Sequence, residues 1–464
     1  MKAELFVGVD IGTTVTKAAV VAADGTELGW GKAPTSWRNV PTGAETTPAE
    51  VLWGVLEALA AALDAVPQGV VAAVGVTSMA ETAVLLGDDG LPIGNSIAWH
   101  DTRGEEEAGE LDAVFGPEVF SVRTGLPPSH VCTLAKLAWM SRHGGIGARH
   151  AMTIADWVVH ALGGAQATEA SLASRTGALG LAGRQWWDEA LEWAGVPPDF
   201  FPPVDQAGRP RGRANLEGLP ALLLPSTAAA GPIASALDRL SGAVLASAGH
   251  DHLCVAAGTG ATGEDQVLDS CGTAEAFVRR VKPMGSSAVA QVVRSGMAVG
   301  WHNVPDSYVL LTGHLLGLVL DRVLRLLGLS GREAQVALDR ESTKVLPGTL
   351  QVISDERSST STVTGVGRDA SPAALWAAVR QGTASGAQEV LAAMEGIGGP
   401  VREIVLSGGW SHLEGLREDR RRLSSTMRWP AVTEAGARGA ALFGACAAGF
   451  FPGPEAFPLP PEHI

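Results

Sequence analysis

Two carboxylates far apart in the chain, Asp10 and Asp251, each stand at the end of an apolar run. Asp10 is followed by Gly12, Thr13, Thr14 and Lys17 in a turn between the apolar residues 5–9 and 18–21. Glycine lets backbone approach a ligand closely, and the hydroxyls, N–H groups and lysine suit phosphate oxygens. A carboxylate there would repel phosphate unless a cation lay between them, so the pattern implies a magnesium ion held by Asp10. An ordinary hairpin with polar turn residues is the competing reading. Asp251 suits a general base: an alcohol is a poor nucleophile at neutral pH, and a carboxylate within reach can take its proton. With Asp10 it is also a candidate metal ligand. His250 and His252 flank it, but residues i and i+2 of a strand share a face that i+1 does not. Read as a strand, the tripeptide disfavours a three-ligand metal site.

A second Gly-Thr turn, Gly272 and Thr273, lies between residues 269–271 and the apolar run after it. Gly12 maps to Gly272 and Thr13 to Thr273, a short repeat that suggests two similar halves, each offering a phosphate-holding turn.

The elements that must position these groups follow from composition and pattern. A chain of 464 residues exceeds one ordinary core, so two domains of roughly 200 residues are expected, taken as 1–242 and 243–464. With 46% hydrophobic and 18% charged residues, both can bury a core. A net charge of −15 argues against nucleic acid or an anionic membrane as partner. Four cysteines without C-x-x-C spacing fit a reducing compartment and disfavour zinc. The sequence begins without a signal-peptide pattern and no apolar run would span a bilayer, so a cytoplasmic location is expected.

After the first hairpin the pattern predicts a third strand at 28–30, then a helix to about residue 65 with Thr47 as N-cap, Pro48 first and Glu50 completing a capping box. Strands are expected at 70–77, 83–86 and 96–99, a mixed α/β order. Met79, Ala80 and Glu81 follow one strand end and Trp99, Asp101 and Arg103 another, and strand ends are where α/β sheets bind ligands. A surface ion pair explains Asp101 and Arg103 equally well, and core packing explains Trp99. Residues 208–226 read as loop and 234–242 as the approach to a domain boundary. A helix opened by Thr312 and Gly313 is expected over 309–328, a strand and Gly408–Gly409 turn at 403–409, and a small-residue helix from 434.

Residues 10–14 with Lys17, the strand ending at Met79, residues 98–103 and residues 134–139, in that order, resemble the FGGY family of carbohydrate kinases, which includes xylulokinases and glycerol kinases. The resemblance implies two actin-like, ribonuclease-H-like α/β domains with the active site in the cleft between them, and ATP and Mg2+ as cofactors. It makes Asp251 the general base, places Gly272 and Thr273 on the outer phosphates, puts Gly408 and Gly409 at adenosine and makes Gly313 a nucleotide contact, which a plain helix start would explain equally well. Met79, Ala80, Glu81, Trp99, Asp101, Arg103, Asp251 and His252 become substrate contacts. The chain departs from both parents: xylulokinase-like members carry Met-His where it has Met79-Ala80, and of the Arg-Glu of glycerol kinases only Glu81 survives. The expected activity is phosphorylation of a small sugar, ketose or polyol, with a homodimer as candidate assembly. A non-catalytic nucleotide or sugar sensor, or an actin-like ATPase without small-molecule acceptor, remains open.

Overall fold

The N-terminal apolar runs form an antiparallel pair, Glu4–Ile11 and Val15–Ala22, in which Asp10 lies opposite Lys17. The structure is a computed structural model and describes residues 4–217, 219, 230–355, 360–368, 370–424 and 426–463. Glu27–Pro34 extends the hairpin on one side; on the other, Val70–Ser78 pairs in parallel with Glu4–Ile11, and Val244–His250 in parallel with Val70–Ser78. Parallel pairing demands crossovers, and the helix Pro48–Asp64 supplies the first. Its N-terminus is built as the sequence predicts: Thr47 Oγ1 accepts from the Glu50 N–H at 3.1 Å and the Thr47 N–H donates to Glu50 Oε2 at 3.0 Å.

Strand periodicity sorts the apolar residues onto two faces. Leu5, Val7, Val9 and Ile11 join Ala18 and Val20 beneath the helix Pro48–Asp64. Phe6, Ala19, Val21 and Ala73 meet Ala437, Ala441 and Ala445 of the helix Ala435–Ala447 instead. That second helix lies unusually close. A Cβ at Gly8 would fall 1.8 Å from the Ala437 carbonyl oxygen, and one at Gly75 1.9 Å from that of Ala440.

The chain divides into two units interleaved in sequence. The first comprises Met1–Thr262, Pro283–Val309 and Val432–Pro460; the second comprises Gly263–Lys282, Leu310–Ala431 and Pro461–Ile464. The division expected at 242/243 differs from this, because Val244–His250 completes the first sheet through its pairing with Val70–Ser78.

In the second unit the order of strands is Tyr308–His314, Glu275–Val281, Gln266–Cys271, Glu403–Ser407, Thr426–Arg428. Gln266–Cys271 forms a hairpin with Glu275–Val281 and runs parallel to Glu403–Ser407, repeating the arrangement of the first unit. The turns correspond too: the Gly12 N–H donates to the Val15 carbonyl at 3.2 Å and the Gly272 N–H to that of Ala274 at 3.1 Å. The repeat suggested by two Gly-Thr turns is therefore a repeat of topology.

Three local expectations change. Residues 309–328 are not one helix: Tyr308–His314 is a strand and the helix is Leu316–Leu326, because buried Tyr308, Val309 and Leu310 belong to a sheet interior. The strand at 96–99 is only Ser96–Ile97. Residues 234–242 lie largely in the helix Ala230–Leu240 rather than a linker, and the loop expected at 208–226 falls partly outside the described residues.

Gly75→Ala forces a methyl group into the backbone of Ala435–Ala447 and is expected to cost about 3 kcal/mol of stability. Urea unfolding of the variant against the parent chain measures it.

Candidate active site

The end of Glu4–Ile11 delivers Asp10 to a place where its carboxylate meets a helix N-terminus. A Cβ at Gly436, near the start of Ala435–Ala447, would come within 2.3 Å of Asp10 Oδ2, so only glycine admits the carboxylate there. The positive end of a helix suits such a charge. Asp10 Oδ1 is buried without a hydrogen-bond partner. Lys17, opposite in the hairpin, bonds Glu434 at 2.7 Å, which ties the turn to the same helix end. Burial works against the charge of Lys17, but Glu434 outweighs it and raises its pKa.

The turn between Asp10 and Lys17 is braced from outside. Trp37 Nε1 donates to the Thr13 carbonyl at 2.6 Å and Trp99 Nε1 to Thr13 Oγ1 at 2.9 Å. Thr35 holds the carbonyl of Gly12 at 2.8 Å, while Thr14 is exposed.

Asp251 is not on a strand. Val244–His250 ends one residue earlier and Asp251 opens the helix Asp251–Thr259. The alternation argument for the histidines therefore fails: ligand atoms of His250, Asp251 and His252 all lie within 4.8 Å of one another. Asp251 Oδ1 accepts from the His252 N–H at 2.7 Å and lies 3.1 Å from His250 Nε2. Burial, before all else, holds both imidazoles below their ordinary pKa, so they stay neutral near neutral pH.

Asp10 and Asp251 are close enough to repel. Burial first, then the Asp251 charge, pushes Asp10 up to about 7. Burial pushes Asp251 to about 7 as well; the His252 N–H lowers it, Glu81 raises it, and Arg175 and Lys17 lower it. Two partly buried carboxylates, one of them with an oxygen that has no hydrogen-bond partner, fit a hard divalent cation, whose charge would offset their repulsion.

Glu81 belongs to this group. It is held at φ 64°, a left-handed conformation rare outside glycine, while its carbonyl accepts from Thr133 Oγ1 at 2.7 Å and its Oε1 from Arg175 Nε at 2.7 Å.

Other sequence candidates have different roles. Asp101 is fully buried and both its oxygens are taken: Oδ1 by the N–H and Nε of Arg103, Oδ2 by Arg103 Nη2, Thr42 and the Ala44 N–H. Arg103 is further spent on Glu45 at 2.5 Å. This network fixes the loop and leaves Asp101 no acceptor for a sugar hydroxyl. Met79 and Ala80 are buried, Met79 lying under Thr13 Oγ1 at 3.8 Å, so they support the turn. Trp99 likewise spends its N–H on Thr13.

In the second unit Gly272, Thr273, Gly313, Gly408 and Gly409 gather around one turn. The Leu318 N–H donates to the Thr273 carbonyl at 3.1 Å. Gly408, at φ 92°, lies against the backbone of Cys271, and Gly313 against the carbonyl of Glu275. A Cβ at Gly409 would meet nothing within 4 Å. Sequence reasoning misses Arg175, Glu434, Gly436 and Trp37, which follow no strand end or glycine turn; Glu434 and Gly436 open a helix that is expected, but nothing in their spacing ties them to Asp10.

Residues 5–227 match the model of the FGGY family of carbohydrate kinases, N-terminal domain. The chain is similar to a glycerol kinase of Nocardia farcinica (strain IFM 10152), 32% identical over 206 residues that cover 42% of this chain and 41% of that protein. It is also similar to a gluconokinase of Bacillus subtilis (strain 168), 29% identical over 203 residues, 42% of this chain and 39% of that one. The matches thus span less than half the length of these relatives. A solved xylulose kinase from Rhodospirillum rubrum is similar over 99% of this chain and 93% of its own, with TM-score 0.84 and 23% identity. That likeness establishes the fold: two α/β units of the actin-like, ribonuclease-H-like type.

The raised acids carry a sign. The folded protein holds protons on Asp10 and Asp251 that the unfolded chain, at an ordinary carboxylate pKa, has released. Stability should therefore fall as pH rises from about 4 through about 7. Asp10→Asn should raise the thermal midpoint near pH 8 and change it less near pH 5, as a scanning calorimetry series would record.

Proposed function

We propose that this chain, which belongs to the FGGY family of carbohydrate kinases, uses ATP to phosphorylate a hydroxyl of a small sugar or polyol. The observation that carries the reading is the pair Asp10 and Asp251, two partly buried acids from distant parts of the sequence that share one site and are each raised, by burial first, to a pKa of about 7.

Asp251 acts as base. The bond from the His252 N–H and the approach of His250 Nε2 both fall on Oδ1, which leaves Oδ2 to receive the proton of an acceptor hydroxyl. Asp10, with Asp251 beside it, would hold magnesium; when bound, the ion neutralises phosphate charge. The braced Thr13 turn and Lys17 present donors to phosphate, and their fixed geometry is what phosphoryl transfer chiefly needs. The Gly272–Thr273 turn repeats that arrangement and, with Gly313, Gly408 and Gly409, is the candidate nucleotide side. Glu81 and His252 are the remaining candidates for acceptor contact. A sensor would need no base, and an ATPase without acceptor would need no Glu81 held in strain, so neither alternative accounts for this group.

Asp251→Asn should lower acceptor-dependent ADP release by about a thousandfold. Activity of the variant within about tenfold of the parent would remove Asp251 as the base.

A further inference from the structure

The strand Val244–His250 does not keep its register to the end. Ser247 lies opposite Val76 and Gly249 opposite Thr77, so Ala248 is an extra residue and the strand bulges just before the helix that Asp251 opens. Bulges beside a site re-aim the side chains that follow them. The displaced carbonyl of Ala248 is satisfied by Asn303 Nδ2 and Cys254 Sγ, both at 3.2 Å. Gly249 then turns at φ 96°, and a Cβ there would lie 2.4 Å from Ser171 Oγ and 2.8 Å from Glu169 Oε2. Conformation and space both require glycine at this position.

The peptide group that joins Gly249 to His250 is held at both of its polar atoms. Thr77 Oγ1 donates to the Gly249 carbonyl at 2.5 Å, and the His250 N–H donates to Ser171 Oγ at 3.0 Å. Because a peptide group is planar, bonds at its two opposite ends fix its rotation. Ser171, in the short helix Ala170–Ala173, is itself fixed, since its hydroxyl donates to Glu169 Oε2 at 2.5 Å. That oxygen also accepts the N–H groups of Ser171 and Leu172 at 2.8 and 3.1 Å, and the Glu169 N–H donates to Asp156 Oδ2 at 3.0 Å. Thr77, Asp156, Glu169 and Ser171 are all buried. With its proton committed to the carboxylate, Ser171 Oγ presents a lone pair to the His250 N–H.

We propose that Thr77 and Ser171, the latter held by Glu169, are positioning residues for the general base: by fixing the plane of the peptide between Gly249 and His250 they set the direction in which Asp251 leaves the sheet. The inference rests on the kinase reading above, which makes Asp251 the base. Both hydroxyls donate to the protein itself, so they act through Asp251 rather than on a ligand. Proton transfer needs the base within hydrogen-bond reach of the acceptor hydroxyl, and a displacement of about 1 Å can cost roughly a hundredfold in rate.

The test is ADP release over a panel of ketoses and polyols by the parent, Ser171→Ala, Asp251→Asn and the double variant. Ser171→Ala leaves the His250 N–H without its acceptor and should lower kcat about thirtyfold, while KM for the best acceptor of the panel changes less than about threefold. In the Asp251→Asn background the same substitution should cost less than about twofold, since a residue that works only through the base has nothing left to aim. A merely structural serine would lower the rate by the same factor in both backgrounds. Thr77→Val, which removes the other hydroxyl, answers the same question if Ser171→Ala does not fold. A kcat within about threefold of the parent, or an equal loss in both backgrounds, would overturn the proposal and leave Asp251 as base. Asp251→Asn as fast as the parent, or no ADP release by the parent with any acceptor, would overturn the kinase reading and the positioning role with it.

Discussion

The first unit depends on how closely one helix can lie on its neighbours. Ala435–Ala447 is built almost wholly from small residues, and it meets glycine on two sides: Gly8 and Gly75 in the sheet, and Gly258 in the helix Asp251–Thr259. A Cβ at Gly258 would reach 1.9 Å from the Ala435 carbonyl oxygen, and one at Gly439 2.0 Å from that of Cys254. Interiors are packed at crystal-like density and cannot yield to such intrusions. Because backbone touches backbone, the N-terminus of one helix falls beside Asp10 and the helix it crosses carries Asp251. The acid pair is thus a product of small side chains that never touch a ligand.

The second unit repeats the strand order but spends its buried charge differently. Arg420, fully buried, bonds Asp269 at 2.7 Å and also Glu275. Glu275 is pushed up to about 8, by burial first and then by Asp269. Here an arginine bonds both acids of the cluster, whereas in the first unit the hairpin lysine, Lys17, bonds Glu434 and not Asp10. One topology therefore places a cation on the strand acids in one copy and beside a helix end in the other.

Much of this is legible in residue order. The capping box at Thr47, the hairpin at Asp10, the strand before Gly408 and the small-residue helix all come from local periodicity and turn chemistry, which act over a few residues. What residue order cannot reveal depends on partners far away. Asp101 reads as a strand-end acid, and only the folded loop shows its oxygens consumed by Arg103, Thr42 and Ala44. Arg175 lies 94 positions from Glu81 and carries no spacing that would pair them. The histidines about Asp251 are misjudged when the strand is extended two residues too far; a helix start turns three side chains toward one another. The domain boundary fails for a similar reason: place in the chain assigns Val244–His250 to the second half, while hydrogen bonding assigns it to the sheet of its neighbour.

Interleaving has a consequence for biogenesis. The face formed by Phe6, Ala19 and Ala73 leaves the ribosome well before the helix that covers it. For the whole of that interval the face, and the acid beside it, must wait without its cover. A nascent chain of this design has to tolerate a long interval with an uncovered apolar surface, and its first sheet matures only after some four hundred further residues have been added, by the spacing between Gly8 and Ala437.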